Sequence, residues 1–192
     1  MQTIKTSLLT DELREDFFIR VYFNTKDGFH QAGIKRAYLD FCRTLAIKNN
    51  KRHELRRKAE SYLLNCLKKV TEKQLRDQAD FDNFHKESCE GLIRSWDELS
   101  FGQAQKWINM VLKYWLLLGE KRITGIEKNA RYFHIPIDRF VQEGMYSENN
   151  AKPWSKIESY EDYFDYQIKH RQKNTGNPPI VDEFLFYNEY KP

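Results

Sequence analysis

The sequence is poor in residues that break a chain or cross-link it. Its 192 residues include 8 Gly and 5 Pro, which is little turn chemistry for a fold of many strands. Its 3 Cys are odd in number and widely spaced, without any C-x-x-C pair, so neither a zinc site nor a disulfide framework is indicated. We expect free thiols and no bound metal or cofactor.

Long apolar runs are also scarce. The first 20 residues contain no apolar stretch of the kind found in a secretory signal. The longest apolar stretch, Trp107 to Leu118, is interrupted by Asn109 and Lys113. It falls short of the about 20 apolar residues that span a bilayer. We therefore expect a cytoplasmic protein that does not bind membranes.

Aromatic and charged residues, by contrast, are plentiful. The 13 Phe, 11 Tyr and 4 Trp predict a ring-rich core, and a charged fraction of 31% suits helices with solvated faces. Apolar residues recur mainly at helical spacing, and only YFHIPI at 132–137 resembles a short strand. These features predict a compact, multi-helix, all-α single domain over 1–192. A small sub-lobe at 160–192 is the alternative division.

Capping residues mark several predicted helix ends. Thr10 and Ser159 each precede acidic residues, as expected at helix starts. Ser100 and Gln103 fit the S-x-x-Q capping box, in which each side chain bonds the other residue's backbone amide. Gly119 is the predicted C-terminal cap of that helix.

Three further boundaries follow from weaker signals. The run NNKRHE at 49–54 predicts a break between two helices, and Thr71 predicts the restart of another. Pro136 is predicted at the first position of a helix, with Asp138 in its first turn.

A polar stripe crosses the most apolar helix, FGQAQKWINMVLKYWLLLG. Lys106, Asn109 and Lys113 lie within about 60° of one another on its helical wheel. One interpretation places the stripe at the exposed edge of the helix, with both amines reaching water. The other places Lys106 in a cleft as a desolvated amine able to act as a nucleophile.

Positive charge is concentrated between positions 35 and 76. This segment has 13 Lys or Arg against 4 Asp or Glu, a net charge of +9 in a chain of net charge +4. Such asymmetry is compatible with a surface that faces a polyanion, although basic helix faces that are merely solvated give the same pattern. The candidates to contact nucleic acid are Lys51, Arg52, Arg56 and Arg57.

Residues 99–140 resemble helix-hairpin-helix DNA glycosylases, and among them the archaeal 8-oxoguanine glycosylase branch. The matching residues are Gln105-Lys106 near the start of an apolar helix and Pro136-Ile137-Asp138 farther along. The L-P-G-V-G hairpin pattern of that family is not kept, because this chain has LSFGQ at 99–103. The resemblance implies a helix-hairpin-helix glycosylase-like fold and DNA as the partner.

The resemblance also implies roles for individual residues. Lys106 would be the nucleophile that attacks the sugar, and Asp138 would assist it and the charged transition state. Aromatic or apolar side chains should hold the extruded base. Free amides at the start of the Ser100 helix should hold a phosphate. The candidate base-contacting residues are Trp107, Asn109, Phe133 and His134, and the candidate phosphate-contacting residues are Ser100, Gly102 and Gln103.

The function expected from the sequence is therefore excision of a modified or damaged base. The alternative is a non-catalytic helical module that binds nucleic acid or protein, for example in a mobile-element or defence setting. A plain protein-interaction domain is the third option, and it predicts no binding to DNA even at low salt.

Overall fold

The structure is a computed structural model that describes residues 8–45, 49–147, 152–173 and 176–189. The described chain is all-helical and forms a compact single domain. Its α-helices are α1 (Asp11–Tyr22), α2 (Phe29–Phe41), α3 (Asn49–Glu72), α4 (Gln78–Ser95), α5 (Phe101–Leu118), α6 (Arg139–Tyr146), α7 (Tyr160–Lys173) and α8 (Pro179–Glu189). Short 3₁₀ helices lie at Cys42–Thr44, Ile126–Tyr132 and Trp154–Lys156.

Helix α5 is the centre of the fold. It packs against α2, α4 and α7, and α3 covers α2 and α4 from the other side. Two buried tryptophans bind α5 to α2, because Trp107 Nε1 donates to Ile34 O at 3.2 Å and Trp115 Nε1 donates to His30 O at 3.0 Å. A helix that is apolar nearly all round requires burial on most sides, and this arrangement provides it.

Several predicted helix ends are confirmed. The Thr10 side chain accepts a bond from Leu13 N and begins α1, and Ser159 Oγ accepts from Asp162 N at the start of α7. Both halves of the Ser100–Gln103 capping box are formed. Gly119 follows α5 as its C-terminal cap at φ 76°, in the left-handed region that favours glycine.

Three predicted boundaries are wrong. Residues 49–54 lie inside α3, so the break falls before Asn49, and 46–48 are outside the described residues. Thr71 also lies inside α3, because the next helix starts only at the Asp77 cap. Pro136 is not helical, and Asp138 is the N-terminal cap of α6 rather than a residue of its first turn.

Of the segment 132–137, predicted as a short strand, Tyr132 ends a 3₁₀ helix, and residues 133–137 are extended but pair with no strand in the described chain. Two buried glutamine side chains serve as its partners instead. Gln105 accepts from Ile137 N at 3.2 Å and donates to Ile137 O at 2.7 Å. Gln167 makes the same pair of bonds to Ile135, at 3.2 and 2.8 Å. Each amide therefore supplies the donor and acceptor that a neighbouring strand would supply.

The C-terminal residues pack on the rest of the domain. Tyr163 and Gln167 of α7 are buried against α5 and the segment 133–137. Helix α8 contacts α7 and the 3₁₀ helix Ile126–Tyr132. Within the described ranges, no helix is both long and apolar enough to cross a membrane.

Gln167→Leu should destabilise the protein by about 2 to 4 kcal/mol, because it leaves a buried N–H and a buried C=O of Ile135 without partners. The free energy of unfolding from urea titration checks this. Gln142→Leu is the matched control, since this buried amide donates only to the Tyr166 hydroxyl. That variant should lower the free energy of unfolding by no more than about 1 kcal/mol. Equal losses in the two variants would show that the bonds from Gln167 to Ile135 are not the source of the stability.

Candidate functional site

The polar stripe of α5 is buried. The exposed fractions are 5% for Lys106, 0% for Asn109 and 9% for Lys113. The interpretation of the stripe as an exposed edge of the helix is therefore wrong. Buried amines need opposite charges close by, since an unpaired buried charge costs several kcal/mol.

Lys106 finds its partner in Asp138, which is 32 residues away in the sequence. Lys106 Nζ donates to Asp138 Oδ2 at 2.6 Å. The other carboxylate oxygen, Oδ1, accepts from Val141 N at 2.9 Å and caps α6. Asp138 is thus oriented by its helix while it faces the lysine, and its side chain keeps 25% exposure.

The charge state of Asp138 is set by two opposing effects. Burial alone would raise the pKa of this carboxyl group. The Lys106 ammonium, together with the hydrogen bonds from Lys106 and Val141 N, outweighs burial and holds the pKa below its ordinary value. Asp138 is therefore a carboxylate at neutral pH.

A second buried lysine lies two turns farther along α5. Lys113 Nζ donates to Glu183 Oε1 of α8 at 2.6 Å. The rings of Phe184 and Tyr187 lie 5.1 and 5.2 Å from the same amine, in cation–π range. The sequence showed the lysine but gave no sign of Glu183, which is 70 residues distant.

A third charged pair, which no sequence motif revealed, completes the cleft. Arg36 and Asp40 are i,i+4 neighbours on α2, with Arg36 Nη1 donating to Asp40 Oδ1 at 2.9 Å. Tyr114 OH donates to Asp40 Oδ2 at 2.7 Å. Burial, and then the Asp40 charge, raise the pKa of the Tyr114 phenol far above its usual range, so this hydroxyl stays protonated.

These three pairs surround one cleft of about 530 Å³. Helices α1, α2, α5 and α8 and the start of α6 form its walls. The wall combines aromatic surface with fixed charges of both signs. Its described lining residues are Tyr22, Arg36, Asp40, Lys106, Met110, Lys113, Tyr114, Leu117, Asp138, Phe140, Glu183, Phe184 and Tyr187.

The four candidate base-contacting residues lie in the core and not in this cleft. Trp107 and Phe133 are fully buried, against α2 and Phe81 respectively. Asn109 donates to Gln105 and to Tyr163 OH. These side chains cannot reach a ligand, because each is enclosed by the packing of the domain.

His134, the fourth candidate, belongs to a buried hydrogen-bonded chain. Its Nε2 lies 2.8 Å from Asp82 Oδ1 and its Nδ1 lies 2.8 Å from Tyr163 OH. Burial lowers the pKa of His134 to about 4, although Asp82 opposes this effect, so the ring is neutral at pH 7. The neutral ring donates a hydrogen bond to Asp82 and accepts one from the Tyr163 hydroxyl. These two bonds connect α4 to α7 through His134.

The start of α5 is covered, which corrects the expectation of an open phosphate site. Gly102 N donates to Ile157 O at 3.0 Å, and Ser100 Oγ donates to Ser155 O at 2.8 Å. Gln103 N donates to Ser100 Oγ within the capping box. A Cβ atom on Gly102 would lie 1.8 Å from Trp154 O, so this glycine serves close packing of the 3₁₀ helix.

The four basic residues predicted to contact nucleic acid differ in their surroundings. Arg52 is used internally, with bonds to Tyr38 OH and Cys42 O. Arg56 pairs with Glu60 but also lines a surface groove, and exposed Arg57 lines a depression beside it. Lys51 lies in α3, and its side chain is outside the described part of the structure.

No group of His, Cys, Asp or Glu within the described chain is placed to hold a metal ion. No protein-family model, no curated protein and no solved structure matches the chain. Function is therefore inferred from the geometry of the cleft and from the Gln105-Lys106 and Pro136-Ile137-Asp138 motifs.

Asp138→Asn should lower the free energy of unfolding at pH 7 by about 1 to 3 kcal/mol, since it removes the charge facing buried Lys106. The amide still offers an oxygen to cap α6. Because the folded pKa of Asp138 lies below its unfolded value of about 3.9, the wild-type advantage is present above about pH 4. It is lost as pH falls through the folded pKa.

Urea titrations of wild type and Asp138→Asn from neutral to acidic pH test this expectation. Glu143→Gln is the control, because it removes the partner of exposed Arg139 at the next turn of α6. That change should cost about 0.5 kcal/mol or less. An Asp138→Asn deficit that stays constant down to the acid limit would show that the carboxylate charge is not its source.

Proposed function

We propose that this protein is a DNA glycosylase-like enzyme in which Lys106 is the nucleophile and Asp138 assists it. The observation that carries the proposal is the 2.6 Å approach of Lys106 Nζ to Asp138 Oδ2 on the wall of a cleft. The two residues come from motifs far apart in the sequence, and their contact supports the proposal because a nucleophile and the carboxylate that assists it must lie within hydrogen-bonding distance.

The cleft has the size and the wall chemistry for a single extruded base. Its volume of about 530 Å³ lies in the usual range of small-molecule sites, about 300 to 1,000 Å³. Tyr22, Tyr114 and Tyr187 offer ring surface, and Asp40 offers a carboxylate edge. An enzyme that removes a base must first take it out of the stack and hold it against such groups.

The proposed reaction begins with a proton transfer. Asp138 Oδ2, which accepts the hydrogen bond of Lys106, takes one proton from the ammonium and leaves a neutral amine. The amine nitrogen attacks C1′ of the target nucleotide, and the bond from C1′ to the base breaks with its electron pair leaving on the base. The proton held by Asp138 then passes to the departing base, which restores the carboxylate.

The product of this step is a protonated secondary amine bonded to C1′. Transfer of its proton to the ring oxygen opens the sugar and gives an iminium between Lys106 and C1′. The Asp138 carboxylate, held by Val141 N and kept ionised, faces the positive charge that develops on the sugar and on this iminium.

A non-catalytic binding module is the second candidate. The exposed outer face of α1 favours it, because Leu13, Phe17, Phe18 and Val21 are between 56% and 69% exposed. In that case the Lys106–Asp138 pair only fastens α6 to α5. The two candidates differ in one outcome, the formation of a covalent intermediate.

Borohydride trapping separates the two candidates. Wild type is mixed with duplex and single-stranded DNA that carry a panel of modified or damaged bases, in the presence of borohydride, which reduces an iminium to a stable amine. We expect a covalent adduct with at least one substrate and its loss in Lys106→Ala. Lys121→Ala is the matched control, because it removes a carboxylate-paired lysine that does not line the cleft.

The control variant should retain the adduct, and circular dichroism confirms that both variants are folded. Adduct formed only with abasic DNA does not count, since stray lysines also trap that substrate. The proposal fails if no modified base yields an adduct, or if the adduct survives in Lys106→Ala.

A further inference from the structure

A second depression adjoins the Lys106 cleft on the side of α1 and α2. It is a groove of about 620 Å³ between the end of α1, the turn after it, α2 and α3. Tyr22 and Arg36, whose side chains are hydrogen-bonded to each other, line both the groove and the cleft, so the two depressions are neighbours. Lys35 in turn joins the groove to a further depression that Arg57 and Lys68 line.

The charged side chains that line the groove are all cationic. Its described lining residues include five cations and no carboxylate. Three of these cations are paired with acids whose side chains lie outside the lining, and two, Arg20 and Lys26, form no ion pair with any described residue. The five cations are Arg20, Lys26, Lys35, Arg36 and Arg56.

Part of the lining of the groove is apolar. Val21 and Leu39 are 69% and 57% exposed, and Tyr22 lines both the groove and the cleft. A groove lined by several cations, with exposed ring and aliphatic surface beside them, is the arrangement that binds single-stranded nucleic acids. A bound small anion requires only one or two of these cations, whereas a sugar-phosphate chain can use all of them.

We propose that this groove holds the phosphates of a nucleic-acid strand whose neighbouring nucleotide enters the Lys106 cleft. The role of the cleft in this binding mode rests on the proposed function, but the groove itself requires only its own charges and shape. Arg20 and Lys26 precede the basic segment 35–76 in the sequence. The groove brings these two residues together with the cations of that segment, Lys35, Arg36 and Arg56.

Salt-dependent binding tests the groove. Fluorescence anisotropy follows a labelled single strand of about 16 nucleotides, without modified bases, over about 50 to 200 mM KCl. Arg20→Gln/Lys26→Gln should bind more weakly than wild type. The slope of log affinity against log salt should fall in magnitude by about 0.7 for each phosphate-binding cation that is removed, hence by about 1.4 for the pair.

Arg131→Gln/Lys156→Gln is the matched control. It removes two exposed cations, one from each of two 3₁₀ helices, that lie outside the groove. This variant should keep the wild-type slope. An uncharged morpholino oligomer of the same sequence should not bind wild type, because the proposal assigns the affinity to phosphates.

Equal slopes for the groove variant and wild type would overturn the inference, as would binding of the morpholino. Tighter binding of a polyglutamate peptide than of DNA would assign the groove to an acidic protein segment and would also overturn it. These outcomes are independent of base excision, since the strand has no modified base and no borohydride is present. Loss of trapping with the slope difference retained would refute the proposed function alone.

Discussion

The candidate site depends on two buried glutamines that hold the chain just before Asp138. Segment 133–137 is extended in the interior without a strand partner among the described residues, so its backbone groups require other bonds. The amides of Gln105 and Gln167 provide them, each with one donor and one acceptor. Gln105 directly precedes Lys106 on α5. The same turn of helix therefore fixes the lysine and the segment that presents its carboxylate.

The charged pairs around the cleft determine where the helices lie more than they stabilise the fold. Moving two ions out of water costs about as much as their attraction returns, so a buried pair adds little net stability. A mispaired lysine, however, is strongly penalised. Lys106 thus requires the start of α6 beside it, and Lys113 requires α8. The two requirements set how α6 and α8 lie along α5 and give the cleft fixed walls of alternating charge.

Local signals in the sequence were sufficient for much of the fold. Caps such as Thr10, Ser100 and Gly119 act within one helical turn, and their geometry follows from a few neighbouring residues. The all-α class follows from apolar spacing in the same way. The Thr71 boundary failed because α3 continues through it, where packing against α4 and the 3₁₀ helix Ile126–Tyr132 outweighs the local signal.

Local sequence signals predicted only part of the candidate site. Lys106 and Asp138 stand in motifs that the sequence reveals. Which other residues line the cleft depends on long-range packing. Nothing near Asp40 or Glu183 distinguishes either from a solvated acid on a helix. Conversely, Trp107 and His134 lie close in sequence to Lys106 and Asp138 but are buried in the core. Proximity along a helix therefore did not imply proximity to the cleft.

The covered start of α5 constrains the proposed binding of a nucleic acid. Helix-start amides attract phosphates only where they are free, and here Gly102 N and Gln103 N are bonded within the protein. In the proposed binding mode, the attraction comes from side-chain cations instead, and beside the cleft these lie on α1, α2, α3 and the turn after α1. A strand held there would meet Tyr22 and Arg36, which line both depressions, before it reached Lys106. Because packing closes the start of α5, the proposal assigns the approach of the strand to the side of α1 and α2.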